Sequence, residues 1–263
     1  MWTALTIAGS DSSGGAGIQA DLKTFAAHGV YGTSAITALT AQNTLGVTSV
    51  HVVPAEQVTA QIEAVVSDIG CHAVKTGMLA TSATVGAVAA AIEALDLPNL
   101  VVDPVMIAKS GDRLLDDQAM HTLRGALLRL ARVVTPNIPE AEVLSGMKIR
   151  SVTDMRAAAE RIAALKPAAV VLKGGHLEGP TVVDLLYERG RVVEFAGPRI
   201  ESRHTHGTGC TFAAAITAWL ARGSSVEDAV REAKDYVAGA MRAGIPLGGG
   251  HRPLDHFWRA AQR

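Results

Sequence analysis

Thr3-Ala4-Leu5-Thr6-Ile7-Ala8 runs into Gly9-Ser10-Asp11-Ser12-Ser13-Gly14-Gly15-Ala16-Gly17 and then into an amphipathic segment ending at His28, which reads as strand, polar glycine loop and helix. The alternation continues downstream. Short β-branched runs at 33–38, 47–53, 73–75, 100–102, 133–135 and 168–172 are separated by helical periodicities at 55–67, 81–95, 116–130, 139–144 and 153–165. Such alternation predicts a mostly parallel sheet with helices on both faces, because right-handed crossovers lay each helix on a sheet face. Residues 181–187 and 192–195 flank Glu188-Arg189-Gly190-Arg191 and predict an antiparallel hairpin at one sheet edge. Helices over 209–221 and 226–243 complete the pattern.

With 263 residues and no linker-like stretch, internal repeat or low-complexity segment, the chain is expected to form a single α/β domain, 1–263. Apolar residues make up 48% but aromatics only 4%, so the core is built from Ala, Val, Leu and Ile, as suits parallel strands covered by helices. Lys plus Arg (24) nearly cancels Asp plus Glu (25). No net field then draws nucleic acid or an anionic membrane, and an anionic ligand needs a local site. Two cysteines, Cys71 and Cys210, make no disulfide framework and point to a reducing compartment. The opening residues show no leader, and the Ala-rich segment 84–97 is interrupted by Glu93 and Asp96 and too short to span a bilayer. A soluble, cytoplasmic protein with no membrane or nucleic-acid partner is expected.

Ligands of open α/β sheets bind beyond the carboxyl ends of the strands, so the loops there should carry the chemistry. Thr205-His206-Gly207-Thr208-Gly209-Cys210 precedes an apolar helix. Outward backbone N–H groups at a helix start, with glycines that let an anion approach, predict a phosphate cradle. The same helix end is expected to lower the pKa of Cys210, although a glycine turn entering a helix beside an inert buried Cys would read identically. Gly15-x-Gly17-x-x-Ala20 has dinucleotide-like spacing, but the next strand offers no acidic residue for a ribose and the turn is too long. No P-loop sequence occurs. Asp103, Asn137 and Glu140 follow strands and could hold hydrated Mg²⁺, with helix capping as the alternative. Lys173, before Gly174-Gly175, offers a point charge to phosphates. His204, His206 and Cys210 lack a fourth ligand at zinc spacing, and Cys71-His72 reads as packing.

Taken together, the chain resembles the hydroxymethylpyrimidine and phosphomethylpyrimidine kinases of the ribokinase superfamily. The likeness runs through Ala8-Gly9-Ser10-Asp11, Gly17-Ile18-Gln19-Ala20-Asp21-Leu22-Lys23-Thr24, Ala41-Gln42-Asn43-Thr44, Lys75-Thr76-Gly77-Met78-Leu79 and Asp103-Pro104-Val105-Met106. It continues through Lys109-Ser110-Gly111, Thr135-Pro136-Asn137, Lys173-Gly174-Gly175-His176, the Cys210 stretch and Gly250-His251-Arg252-Pro253-Leu254. The resemblance implies a three-layer ribokinase-like fold and transfer of phosphoryl from ATP to an aminopyrimidine and then to its monophosphate, on the way to thiamine diphosphate. It implies Cys210 as base, with Gly207, Thr208 and Gly209 cradling the transferring group and Thr205, Asp103 and Lys173 on the ATP phosphates. Asn137 and Glu140 would lie near Mg²⁺, Gln42 would read the pyrimidine, and Gly9, Asp21, Met78 and Val105 would line its pocket. A primary amide suits an aminopyrimidine, since it carries both donor and acceptor. Ser12 stands where the family often has Pro, and Thr76 where it often has Ile. A homodimer is expected. Pyridoxal kinase activity and a non-catalytic pyrimidine sensor are the alternatives.

Overall fold

The computed structural model describes residues 1–106 and 116–260, so Lys109-Ser110-Gly111 lies outside the described residues. The layers follow from strands that are apolar on both faces. In β4 (Ala73–Thr76), β5 (Leu100–Val102), β6 (Val133–Val134) and β7 (Ala169–Leu172), alternate residues enter different cores. Leu100, Val102, Val134, Val170 and Leu172 enter one, while Val101, Val133, Ala169 and Val171 enter another. The first core is covered by α2 (Ala55–Asp68), α3 (Ser82–Ala94), α4 (Asp117–Thr122), α5 (Ile138–Ser145) and α6 (Val152–Ala163). The opposite face carries α1 (Gly17–Ala27), α7 (Thr208–Ala221) and α8 (Val226–Arg242). Among the described residues no helix is long and apolar enough to cross a membrane.

Together with β1 (Thr3–Asp11), β2 (Tyr31–Gln42), β3 (Val47–Val52), β8 (Thr181–Glu188) and β9 (Arg191–Pro198), these strands form one sheet in the order β3-β2-β1-β4-β5-β6-β7-β8-β9. Pairings from β2 through β7 are parallel. The β8–β9 hairpin turns at Arg189 and Gly190, both at positive φ, as a two-residue turn matching strand twist requires. One expectation needs correcting: the sheet has antiparallel pairs at both edges, because β3 runs back along β2. The Asn43 side chain accepts from Leu45 and Gly46 N–H, closing a turn too short for any crossover.

The helix expected over 116–130 is also modified. It is α-helical only to Thr122, widens to a π-turn over Leu123–Leu127 and tightens to a 3₁₀ turn over Leu128–Leu130. That irregularity buries Leu123, Leu127 and Leu128 together. By contrast α7 is a regular helix buried almost all round, with Ala213, Ala214, Ala215 and Ala218 allowing α1, α8 and the sheet to approach closely. This central helix begins at the Cys210 loop, so a helix packed against both the sheet and its neighbouring helices carries the candidate chemistry.

Candidate active site

Two polar loops meet beyond the carboxyl ends of β1 and β4 to β7. The first, 11–17, is organised by Asp11, whose carboxylate accepts from the backbone N–H groups of Ser13, Gly15 and Ala16 at 2.8, 3.1 and 2.7 Å. The same carboxylate lies 2.8 Å from His206 Nε2 in the second loop. The loops interlock: a side chain at Gly15 would collide with the His206 ring, and one at Gly207 with the Gly15 carbonyl. Gly207 adopts φ 80°, the left-handed conformation that favours glycine, and turns the chain into α7.

Cys210 sits in the first turn of α7, and its sulfur is met by the Gly17 N–H from the first turn of α1. Two helix starts therefore converge on one sulfur. Yet the expected lowering of the Cys210 pKa is corrected here. Burial pushes the Cys210 thiol up to about 11, Asp21 and Asp103 add to the rise, and Lys75 and the Gly17 N–H oppose it without overcoming it. Removing the thiolate from water outweighs the helix-end attraction.

Lys75 was not expected here. It has no exposed surface and donates to both Asp21 oxygens at 2.9 and 2.8 Å, while Thr6 Oγ1 donates to Asp21 at 2.6 Å. Burial opposes the Lys75 charge, but Asp21, Cys210 and Asp103 hold its pKa above the ordinary lysine value. Asp21, expected to line the substrate pocket, is fully enclosed, with both oxygens engaged by Lys75 and one also by Thr6.

Lys173 Nζ pairs with Asp103 at 3.1 Å, and Thr135 Oγ1 lies 3.3 Å from the same carboxylate. A Cβ at Gly209 would stand 3.4 Å from Lys173 Nζ and 3.8 Å from Asp103 Oδ2, which puts this ion pair directly against the glycine loop. Asn137 and Glu140 form a reciprocal capping box: Glu140 N–H donates to Asn137 Oδ1 at 3.0 Å, and Asn137 N–H to Glu140 Oε2 at 2.8 Å. The side-chain oxygen of Asn137 caps α5. Burial raises Glu140 to about 7, against the pull of Lys173 and with the push of Asp103. Thr205 is half-buried, with its hydroxyl 3.3 Å from His251 Nδ1, and the Thr208 N–H and hydroxyl donate to the Thr205 carbonyl.

The pyrimidine-side residues lie on neighbouring strands. Gly9 backs onto Met78, whose sulfur would be 3.3 Å from a Cβ there, and Thr37 Oγ1 donates to the Met78 carbonyl at 2.6 Å. Val105 is half-buried just beyond β5. Gln42 ends β2; Thr40 Oγ1 donates to its Oε1 at 3.1 Å. Ser12, noted only as a departure, donates to the Gln42 carbonyl and accepts from the Gln42 N–H, both at 2.8 Å, so it ties the first loop to Gln42 in the manner of a strand neighbour. Thr76, the other departure, carries a buried hydroxyl with no hydrogen-bond partner among the described residues. His204 Nδ1 faces the Pro253 carbonyl, and the Cys71-His72 pair packs away from these loops, with His72 Nδ1 accepting from Thr3.

Comparison with known proteins matches the phosphomethylpyrimidine kinase family over residues 11–255. The chain is 51% identical over 254 residues to the hydroxymethylpyrimidine/phosphomethylpyrimidine kinase of Streptomyces coelicolor, covering 97% of this chain and 94% of that one. It superposes on the ADP complex of Bacillus subtilis pyridoxal kinase with TM-score 0.92 and 41% identity, covering 99% of both chains. A Clostridium difficile phosphomethylpyrimidine kinase structure matches with TM-score 0.81 and 45% identity, over 90% of this chain and 98% of that one. Identity of this extent along nearly the whole chain, on a matching three-layer fold, places the protein in the phosphomethylpyrimidine kinase family, whose members are phosphotransferases.

Proposed function

We propose that the protein, working in the cytoplasm, transfers the γ-phosphoryl group of ATP to the hydroxymethyl oxygen of 4-amino-5-hydroxymethyl-2-methylpyrimidine and then phosphorylates the monophosphate, supplying the diphosphate used in thiamine synthesis. The observation that carries this reading is the convergence of Cys210, the Gly207–Gly209 loop and the Lys173–Asp103 pair at the half-buried start of α7. Backbone N–H groups of that loop and Lys173 would stabilise charge on the transferring group, and Cys210 would accept the hydroxyl proton. In the second step the nucleophile is a phosphate oxygen, ionised without help. Cys210→Ala should therefore lose the first phosphorylation by about 10²-fold or more and spare the second. Equal loss of both steps rejects the base.

An open cavity of about 460 Å³ adjoins the Thr205 loop, with Ile200 and Met241 on its apolar side and Ser202, Arg203, His204 and Arg252 around them. Its size and position suit the adenosine part of ATP. The donor set also suits Mg²⁺: Asp103 and Glu140, close enough that one raises the pKa of the other, together with Asn137 at the head of α5, would hold a hydrated ion on ATP phosphates through its waters. Bound there, Mg²⁺ would neutralise phosphate charge. A homodimer is inferred at the β3 edge, where Leu45, Val50 and Val52 are exposed along the sheet's outer strand. Sedimentation at the monomer mass would reject it.

The likeness to a pyridoxal kinase favours a second reading, phosphorylation of the pyridoxal hydroxymethyl group. Competition of the two substrates for one enzyme decides between them: higher kcat/KM for pyridoxal overturns the pyrimidine assignment.

A further inference from the structure

Arg199, just past β9, is the residue whose hydrogen bonding is least explained by packing. Its guanidinium donates to three backbone carbonyls of a single loop: Nε to Gly179 at 2.7 Å, Nη1 to Gly175 at 3.0 Å and Nη2 to Leu177. Its own N–H donates to the Pro180 carbonyl at 2.7 Å. The loop so laced, 174–180, leaves β7 directly after Lys173, whose ammonium lies against the glycine loop. At its start the Gly174 N–H donates to Asp184 Oδ1 at 2.9 Å, and Lys234 holds the other Asp184 oxygen at 2.7 Å. On the far side of Arg199, Ile200 begins the wall of the 460 Å³ cavity. Arg199 thus stands between two walls, one leading from Lys173 and one lining the cavity, and fastens the first to the second.

A planar fork with five donors can span three carbonyls at once; a lysine ammonium on a flexible stem cannot. Loops without regular backbone pairing otherwise open at little cost, and among the described residues the main-chain hydrogen bond within this one runs from Leu177 N–H to Gly174 O. We propose that Arg199 is a positioning residue for the nucleotide, fixing loop 174–180 and the start of the cavity wall at the separation that ATP polyphosphate spans beside Lys173. The proposal rests on the reading that the cavity receives adenosine.

The test compares Arg199→Lys, Arg199→Gln and Arg199→Ala with the unaltered chain, measuring thermal midpoint, kcat and the KM of each substrate. The expected result is a rise in ATP KM of about tenfold or more, with pyrimidine KM unchanged. Lys and Gln should be as impaired as Ala, and added guanidinium chloride at millimolar concentration should lower the ATP KM of the Ala variant. Parallel rises in both KM values, an unchanged ATP KM in a folded variant, or full function in Arg199→Lys would each overturn it. The cavity reading is tested separately, by photolabelling the unaltered chain with 8-azido-ATP. Label outside 200–204 and 241–252 sinks that reading whatever the Arg199 variants do.

Discussion

Cys71 and Cys210 both have a pKa raised to about 11, for different reasons. At Cys71, beside β4, burial alone raises it, and the side chain packs at the margin of the larger core. At Cys210 burial is the largest of several influences, with Asp21 and Asp103 pushing up and Lys75 and the Gly17 N–H pulling down. An acidity set by burial alone changes only if the protein opens. One set by opposed charges shifts when a ligand alters any of them, and phosphates arriving beside Lys173 would do so. Low exposure therefore does not separate an inert thiol from a working one; the surrounding charges do.

The hardest way to break the contrast is to remove the charge that favours the Cys210 thiolate. Lys75→Met should cost about 3–5 kcal/mol in urea unfolding, since it leaves Asp21 as an uncompensated buried charge. Pairing it with Asp21→Leu should recover most of that loss, and a stable single mutant would show that the pair is not needed for folding. Next comes pH. A base is active when deprotonated, and the folded value lies above the free one, so the active fraction grows as pH rises toward about 11. The hydroxymethyl step should accelerate about tenfold per pH unit from 7 upward while the second step stays flat, and a first step independent of pH between 7 and 9 would remove Cys210 from the chemistry.

Ser12→Ala should raise pyrimidine KM by about threefold to tenfold, the worth of one or two hydrogen bonds, and leave ATP KM alone. A matching rise for ATP would mean that the loop, not Gln42, has been disturbed. The smallest effect is expected from Cys71→Ala: both rates within about twofold and stability lower by about 1 kcal/mol. Loss of activity there would erase the distinction between the two cysteines.

Much of this arrangement was legible in sequence because it rests on local patterns. The strand-loop-helix alternation identified the layers, and Arg189-Gly190 identified the hairpin. Gly207 could be read because a helix entered through glycine advertises its backbone. The reversal at β3 is signalled by Asn43 and Gly46, but a β-branched run alone does not tell an antiparallel strand from a parallel one. Lys75 also left a trace, as a charged residue within a short central strand apolar on both faces, which demands a buried partner. Identifying Asp21 as that partner needed the fold, since the two are 54 residues apart. The acidity of Cys210 was misjudged because sequence reveals the favourable helix end but not the depth of burial or the carboxylates across the site. The same holds for Arg199, whose acceptors are main-chain carbonyls and carry no residue signature.

The interlock of Gly15 with His206, and of Gly207 with the Gly15 carbonyl, has a mechanical consequence. With no room for relative sliding and Asp11 bound to His206 across 195 residues of sequence, the loops at 11–17 and 204–210 travel as one rigid body. Ser12, in the first of these loops, is bonded to both backbone groups of Gln42, so the end of β2 is carried by the same unit and the amide proposed to read the pyrimidine keeps its distance from the sulfur.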